Sequence, residues 1–523
     1  MNEDAAVAAS KVQKTEGSAD AKSELRKMSR KQRREAKRKD RGKEEEEKKR
    51  VHCDFWVAAK HRYCKFQPVK GSSKCSVHQD DAEGDKERVP CPIDPNHSVY
   101  KRKLKKHVLV CSKTKDNNFI VRQPLYSRGC NVPEGKRPDP TLDNVSITSG
   151  TEEEEEGVVD EWLKKLDEAV RKLVAEQSKD DARQCIDVEG SSSRGISEEV
   201  RGGMVGRVED SIVSNGEADK HDIQNSRLLS VMEKEGMLSS CDDGDGIPLF
   251  IEYGCGRGGL SRWVMEYRKQ QQQEQKSSTT AGAAPKPWTF LLVDREARRN
   301  KQENRKDLTN SNSSSSIVMR LRMDIADLNL ADIFVAEERE QGDHQKASTV
   351  TSRGSIGYDE RLENLWARYH AIRSQPQWPP KVTCCIAKHL CGSATDLSLR
   401  TLQCSSRPSA LIATCCHHRC EYDMLCGKEV LTSLLPEIHD PESFAKLRTM
   451  AGWATSHEPL SKEKRANISP QKAECGRLVK MLIDLCRVTW LKRAMKCDRV
   501  SYKSYVDAGV SPENRCIAAV GVA

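Results

Sequence analysis

The stretch from Cys91 to Cys111, "CPIDPNHSVYKRKLKKHVLVC", holds two cysteines and two histidines in the spacing C-x5-H-x9-H-x3-C. Zinc takes four soft or borderline donors at tetrahedral corners, and Cys91, His97, His107 and Cys111 supply such a set. His107 and Cys111 stand one helical turn apart, so both can face one ion. Upstream, Cys53, Cys64, Cys75 and His78 form C-x10-C-x10-C-x2-H, with a chelating half-site at the end; His52 and His61 are left out of the set. Modules this small bury little core, so the ion supplies folding free energy. Lys101, Arg102, Lys103, Lys105 and Lys106 crowd the second module. Such a charge run suits an RNA backbone, and equally suits a plain solvated helix face.

A second kind of chemistry lies in "FIEYGCGRGGLSRWV". Gly254, Gly256 and Gly259 match G-x-G-x-x-G between an apolar run and a helical pattern, where backbone can approach a nucleotide-like ligand closely. A dinucleotide and S-adenosylmethionine compete for this turn. Glu252, two residues before the first glycine, suits a positively charged aminoacyl group better than a pyrophosphate. Asp294 closes the next apolar run, where an acid can accept from ribose hydroxyls, and Asp324 follows in "RLRMDIADL", placed to meet an adenine. The order of the three acids favours S-adenosylmethionine.

Short apolar runs must position these groups. They are "IPLFIEYGCGRGG", "WTFLLVDRE" (288–296), "VTCCIAKHLCG" (382–392), "ALIATCCHH" (410–418) and "CIAAVGV" (516–522), separated by polar or helical stretches. Buried strands alternating with helices predict an α/β fold with a parallel sheet. Trp162, Leu163, Leu166, Val170, Leu173 and Val174 share one face of an amphipathic helix over 160–176, flanked by linker-like sequence. A further helical segment covers 221–238. Segments 269–286, 309–317 and 338–355 have the composition of loop insertions.

With 523 residues the chain exceeds one ordinary domain, and 36% hydrophobic against 32% charged residues leaves long stretches outside any packed core. A net charge of +9 favours an anionic partner, nucleic acid above all. The first 50 residues read as a basic, disordered tail that can serve as a localisation or RNA-binding segment. Neither a signal peptide nor a membrane span is expected. The 21 cysteines then belong to a reducing compartment, cytoplasm or nucleus, where clustered Cys and His read as ligands rather than disulfides.

The collinear order of a CCCH finger, a CHHC finger, "EYGCGRGGLS", "MDIADL", "AKHLCGSATDL", "CCHHRC" and "SPEN" resembles the eukaryotic tRNA 2′-O-methyltransferase family that modifies nucleotide 4 of the acceptor stem. The likeness covers roughly 50–130 and 220–523. It implies a Rossmann-like methyltransferase domain using S-adenosylmethionine on tRNA, preceded by two zinc fingers. The expected organisation is a tail (1–50), a CCCH finger (51–80), a CHHC finger (88–115), a linker with the amphipathic helix (116–220) and a methyltransferase domain with low-complexity insertions (221–523). The substrate is the acceptor stem of tRNA; no membrane and no obligate protein partner are expected.

A ribose 2′-hydroxyl is a poor nucleophile, so a base or a charge beside it helps. Lys388, ending "CCIAK", can orient or deprotonate the hydroxyl if burial lowers its pKa, or can hold a phosphate. His389, His417 and His418 are the other titratable candidates. A rival reading takes Cys415 as the nucleophile of cytosine C5 methylation. Another takes the chain as a zinc-dependent RNA-binding adaptor with an inactive domain. Cys391, Cys415, Cys416 and Cys420 read as a reduced buried cluster ahead of a third metal site.

Overall fold

The computed structural model describes residues 52–57, 62–75, 78, 88–95, 97–133, 152–180, 203–213, 218–238, 248–278, 287–298, 301–302, 316–335, 356–375, 378–454, 468–495, 497 and 499–521. The basic tail and the 338–355 insertion lie outside them. The chain divides into two compact units, Met1–Asp116 and Asn117–Ala523.

In the first unit, β1 (Trp56–Val57) and β2 (Arg62–Tyr63) form one antiparallel pair, and β3 (Arg88–Pro90) and β4 (Ser98–Tyr100) form another. A helix, Leu104–Val110, follows β4 and carries His107; Cys111 is its C-cap. Among the described residues, the buried cluster of the first pair is Cys53, Cys64 and Cys75, with Val57 packed against it.

The second unit is built on a seven-stranded sheet. Its strands are β5 (Pro248–Tyr253), β6 (Trp288–Asp294), β7 (Ser316–Arg322), β8 (Val382–Cys391), β9 (Arg407–Cys415), β10 (Arg499–Ser504) and β11 (Arg515–Val520). The order is β10-β11-β9-β8-β5-β6-β7. β5 to β9 pair in parallel, while β11 runs antiparallel to both β9 and β10. From β5 the chain moves outward through β6 and β7, then returns to β8 on the opposite side of β5. Such a reversal opens a crevice at the carboxyl ends of the two central strands.

The apolar runs are continuous because both faces of the sheet are covered. Leu249, Ile251 and Tyr253 of β5 enter one core and Phe250 the other. Leu291 and Val293 alternate with Trp288 and Phe290 in the same way, as do Cys385 and Ala387 with Cys384 and Ile386. Helices 204–213, 220–234 and 259–278 contribute to one core, and helices 152–180 and 470–495 to the other. Helix Pro470–Met495 is buried on all sides from Leu478 to Leu491, where it has no polar stripe, and is exposed at both ends. No described helix is long and apolar enough to cross a membrane.

Several segments differ from expectation. The amphipathic helix runs from Glu152 to Asp180, and its Leu166, Val170 and Leu173 are buried against helix 470–495. Gln177 donates to Thr489 Oγ1 at 2.9 Å. Residues expected to tether are therefore part of the domain. Residues 117–133 are as well: Gln123 pairs with both backbone groups of Arg322 on the edge strand β7, and Asn131 donates to the carbonyls of Ile325 and Leu328. The glutamine-rich run expected in a loop continues helix Gly259–Ser278, with Gln272 buried; glutamine is a good helix former. Ser316 and Ile317, expected to end an insertion, begin β7.

Candidate active site and metal centres

The CCCH ligands converge. His78 Nδ1 lies 3.4 Å from the sulfurs of both Cys53 and Cys75, and Cys64 Sγ is 4.0 Å from Cys75 Sγ. In the CHHC set, Cys91 and Cys111 sulfurs are 4.0 Å apart, His97 and His107 Nε2 atoms 3.0 Å apart, and His107 Nε2 sits 3.3 Å from Cys91 Sγ. A zinc–sulfur bond of about 2.3 Å gives a tetrahedron with sulfur–sulfur edges of about 3.8 Å. Both donor sets fit that ion in size and chemistry. Asp94 Oδ2 stands 3.4 Å from His97 Nδ1, the carboxylate partner that orients a metal-bound imidazole.

The CCCH unit also exposes large aromatic side chains. Phe55, Trp56, Tyr63 and Phe66 are 42 to 65% exposed. Trp56 and Tyr63 are cross-strand neighbours with ring centroids 5.2 Å apart, edge to face. Phe55 stacks on the ring of His78 at 3.9 Å and so braces a ligand. The basic run of the other finger stands out in the sequence and this face does not, although its four aromatic residues lie within three positions of Cys53 or Cys64.

At the carboxyl end of β5 the chain turns through Gly254, Gly256 and Gly258, all with positive φ. Side chains rarely adopt this conformation. A Cβ on Gly254 would also come within 3.2 Å of Leu390 Cδ1. Gly258, which the pattern match passed over, makes the last left-handed step, whereas Gly259 is the first helical residue. Asp294 and Arg320 clamp the turn. Asp294 accepts from Gly256 N at 2.7 Å, and Arg320 donates to the Gly256 carbonyl at 2.9 Å. Arg320 projects from the edge strand that the pattern reading did not identify.

Glu252 is buried at the end of β5 and accepts from Ser261 N in the first turn of helix 259–278. Burial pushes its carboxyl up. Asp324 caps the turn after β7 by accepting from Ala326 N, with Arg295 Nε 3.4 Å from its other oxygen. Both Asp oxygens at position 294 already accept backbone hydrogen bonds, from Gly256 and Glu296. A carboxylate has about four acceptor sites, so capacity remains for a ligand hydroxyl. Asn225 Oδ1 is buried with no hydrogen-bond partner, and its amide lies 3.6 Å from the Cβ position of Gly259. An orphaned acceptor beside a glycine cradle fits a polar ligand.

Lys388 extends from β8, the strand beside β5. Its Nζ donates to the carbonyl of His221 at 3.3 Å. Burial pulls its pKa down to about 8, against the opposing charges of Glu252, Asp219 and Asp222. His221 itself was missed by the sequence reading. It lies in the first turn of helix Lys220–Lys234, capped by Asp219, and its ring stands edge-on to His389 at 5.9 Å. His389 is exposed, with φ +64, at a break in the β8–β9 register.

His417 does not join this group of accessible residues. It is only 2% exposed and its Nε2 lies 2.9 Å from Asp484 Oδ2 in ion-pair contact rather than a well-aligned hydrogen bond. Its place is in the packing beneath the turn, because Asp484 comes from the buried middle of helix 470–495. His418 is half-buried in the same short turn.

The motif residues "AKHLCGSATDL" and "CCHHRC" meet in one buried network. Arg487 binds Asp396 through Nε–Oδ1 at 3.0 Å and Nη2–Oδ2 at 2.6 Å, and donates to Asp484 at 3.0 Å. The same guanidinium reaches the Gly392 carbonyl and Cys420 Sγ. Thr414 donates to Asp484 at 2.7 Å. A Cβ at Gly392 would lie 2.3 Å from the Arg419 carbonyl, so the two loops require glycine there. Cys415, the candidate nucleophile of the rival reading, is 5% exposed.

The family model "Methyltransferase TRM13" matches residues 223–351 and 370–520. "CCCH zinc finger in TRM13 protein" matches 51–79, and "U11-48K-like CHHC zinc finger" matches 88–112. Among curated relatives, one from Vanderwaltozyma polyspora is 26% identical over 504 residues, covering 91% of this chain and 99% of the relative. The relative from Saccharomyces cerevisiae is 25% identical, covering 90% and 93%, and that from Schizosaccharomyces pombe 25%, covering 83% and 95%. Each is named tRNA:m(4)X modification enzyme TRM13. No solved structure matches the chain. More than half of the sequence lies within the methyltransferase match, and the protein therefore belongs to the TRM13 methyltransferase family.

Proposed function

We propose that this enzyme transfers a methyl group from S-adenosylmethionine to the ribose 2′-hydroxyl of nucleotide 4 in the tRNA acceptor stem, on a Rossmann-like domain. The observation that carries it is a glycine turn at the end of β5 with a lysine of depressed pKa on the adjacent strand β8. The relatives' name supplies the tRNA.

When bound, S-adenosylmethionine supplies an electrophilic methyl group on a sulfonium sulfur. The residues that would hold it are the turn Gly254–Gly258, the first residue of the following helix, Gly259, the acids Glu252, Asp294 and Asp324, and Asn225. Positioning accounts for much of the rate of such a displacement. Lys388 is the proton acceptor: an amine with a pKa of about 8 is partly neutral near pH 7.5 and takes the hydroxyl proton as the oxygen attacks. Its hydrogen bond to the His221 carbonyl aims Nζ. His389 and His418 remain the further candidates for contact with the RNA.

The fingers bind the RNA. Basic side chains of the CHHC unit meet phosphates, and the exposed aromatic face of the CCCH unit stacks on unpaired bases of the acceptor end. A location in the cytoplasm or nucleus is part of this reading. Cytosine C5 methylation is disfavoured by the burial of Cys415. The test is nucleoside mass spectrometry of tRNA incubated with the purified chain and isotopically labelled S-adenosylmethionine. A 2′-O-methyl mark at nucleotide 4 is expected; label on a nucleobase overturns the assignment. Absence of S-adenosylmethionine binding by calorimetry points instead to an adaptor.

A further inference from the structure

Besides the two fingers, one further group of metal-ligating side chains converges among the described residues: Cys391, Cys415 and Cys416, whose sulfurs all lie within 4.8 Å of one another. Cys391 ends β8 and Cys415 ends β9, directly paired in register, with sulfurs 3.6 Å apart. That spacing matches the edge of a zinc–thiolate tetrahedron, about 3.8 Å, and is far longer than a disulfide bond of about 2.05 Å.

Cys416 is the informative residue. Successive side chains of a strand point to opposite faces, so adjacent cysteines normally diverge. Here Cys416 adopts φ +47 and ψ +44, a left-handed conformation that a non-glycine residue rarely takes. The strand breaks at that point, and the thiol of Cys416 joins those of Cys415 and Cys391 instead of leaving them. A second non-glycine residue with positive φ, His389, stands two residues before Cys391 at the register shift of β8 and β9. Strain of this kind persists where surrounding structure over-determines it, and it concentrates at functional sites. The over-determining structure is present: the Arg487 network holds the Gly392 carbonyl and Cys420, locking both cysteine loops from below.

We propose that Cys391, Cys415 and Cys416 form a third zinc site, at the carboxyl ends of β8 and β9. Three sulfur ligands leave one tetrahedral corner, which a water or another oxygen donor takes; no fourth Cys, His, Asp or Glu joins the group among the described residues. Three ligands with an open corner is the pattern of reactive rather than purely structural zinc sites. Binding releases the thiol protons to solvent, with no oxidation.

The test counts metal independently of methyl transfer, so its failure and the failure of the proposed function are distinguishable. Native mass spectrometry of the full chain, purified with zinc and without chelator, is expected to show three zinc ions. Two ions, or a mass lower by two hydrogens from a Cys391–Cys415 disulfide, overturns the site. Differential alkylation with peptide mapping identifies the thiols without any variant. Cys391 and Cys416, both half-buried, are expected to be labelled only after chelation, whereas the half-buried Cys404, outside the group, is labelled in both states. Labelling of Cys391 and Cys416 before chelation, at the rate of Cys404, also overturns it. Cys391→Ser is expected to retain two ions per chain; retention of three refutes the assignment.

Discussion

Arg487 and Asp396, 91 positions apart, form a two-pronged ion pair with side chains no more than 1% exposed. The pair joins helix 470–495 to the helix that follows β8, Ser393–Thr401, beneath the loops of the candidate site. Removing Arg487 leaves the Asp396 carboxylate buried without its cation and takes a partner from Asp484. Arg487→Ala is expected to cost roughly 3 to 5 kcal/mol of stability, read by denaturant unfolding. Asp396→Ala in the same chain adds much less than its separate effect, and full additivity would contradict the coupling.

As the proposed proton acceptor, Lys388 is expected to make the rate depend on pH in a defined direction. Its pKa is depressed, so the neutral amine accumulates as pH rises through about 8. kcat is expected to climb between pH 6.5 and 8.5, roughly tenfold per unit at the acid end, and then level. Glu252, Asp219 and Asp222 all face this amine and hold its pKa up, while burial holds it down. Asp222→Asn, remote from the glycine turn in sequence, therefore moves the midpoint to lower pH. Lys388→Ala is expected to lower kcat by about 10² to 10⁴ with little change in cofactor affinity. A flat profile in the wild-type enzyme would assign the lysine to phosphate binding.

At Gly254 the glycine turn is tight and left-handed. Gly254→Ala meets Leu390 Cδ1 at 3.2 Å in a left-handed conformation. The conformation alone costs roughly 1 to 2 kcal/mol, and calorimetry should register weakened S-adenosylmethionine binding. Arg320→Ala, which frees the Gly256 carbonyl, should weaken it less.

The exposed rings of the CCCH unit predict a binding defect without a catalytic one. Trp56→Ala and Tyr63→Ala are each expected to weaken tRNA binding by about 1 to 3 kcal/mol if each ring stacks on one base. Filter binding reads the loss, and KM for S-adenosylmethionine stays unchanged. Cys91→Ser, which removes a ligand of the other finger, should release one zinc ion and lower tRNA affinity while leaving cofactor binding intact.

Much of this molecule was legible in its sequence for local reasons. Zinc ligands announce themselves because coordination chemistry restricts residue type and spacing, and all eight expected donors converge in two groups of four. The glycine turn was legible because positive φ selects glycine. Five strands of the sheet were legible because burial on both faces makes them continuously apolar. What stayed hidden was set by distant partners. β7 and β10 are edge strands with polar alternation, and their place follows from pairing with β6 and β11. The segment 117–133 and helix 152–180 resembled a tether until the edge of β7 and the helix 470–495 received them. Sequence placed three histidines near the chemistry; the fold put His417 against Asp484 and brought in His221 from 167 residues before Lys388. Composition and spacing determine which elements form and which ions they attract. Tertiary packing alone decides which side chains lose water and which charges they face, and so which groups carry out the reaction.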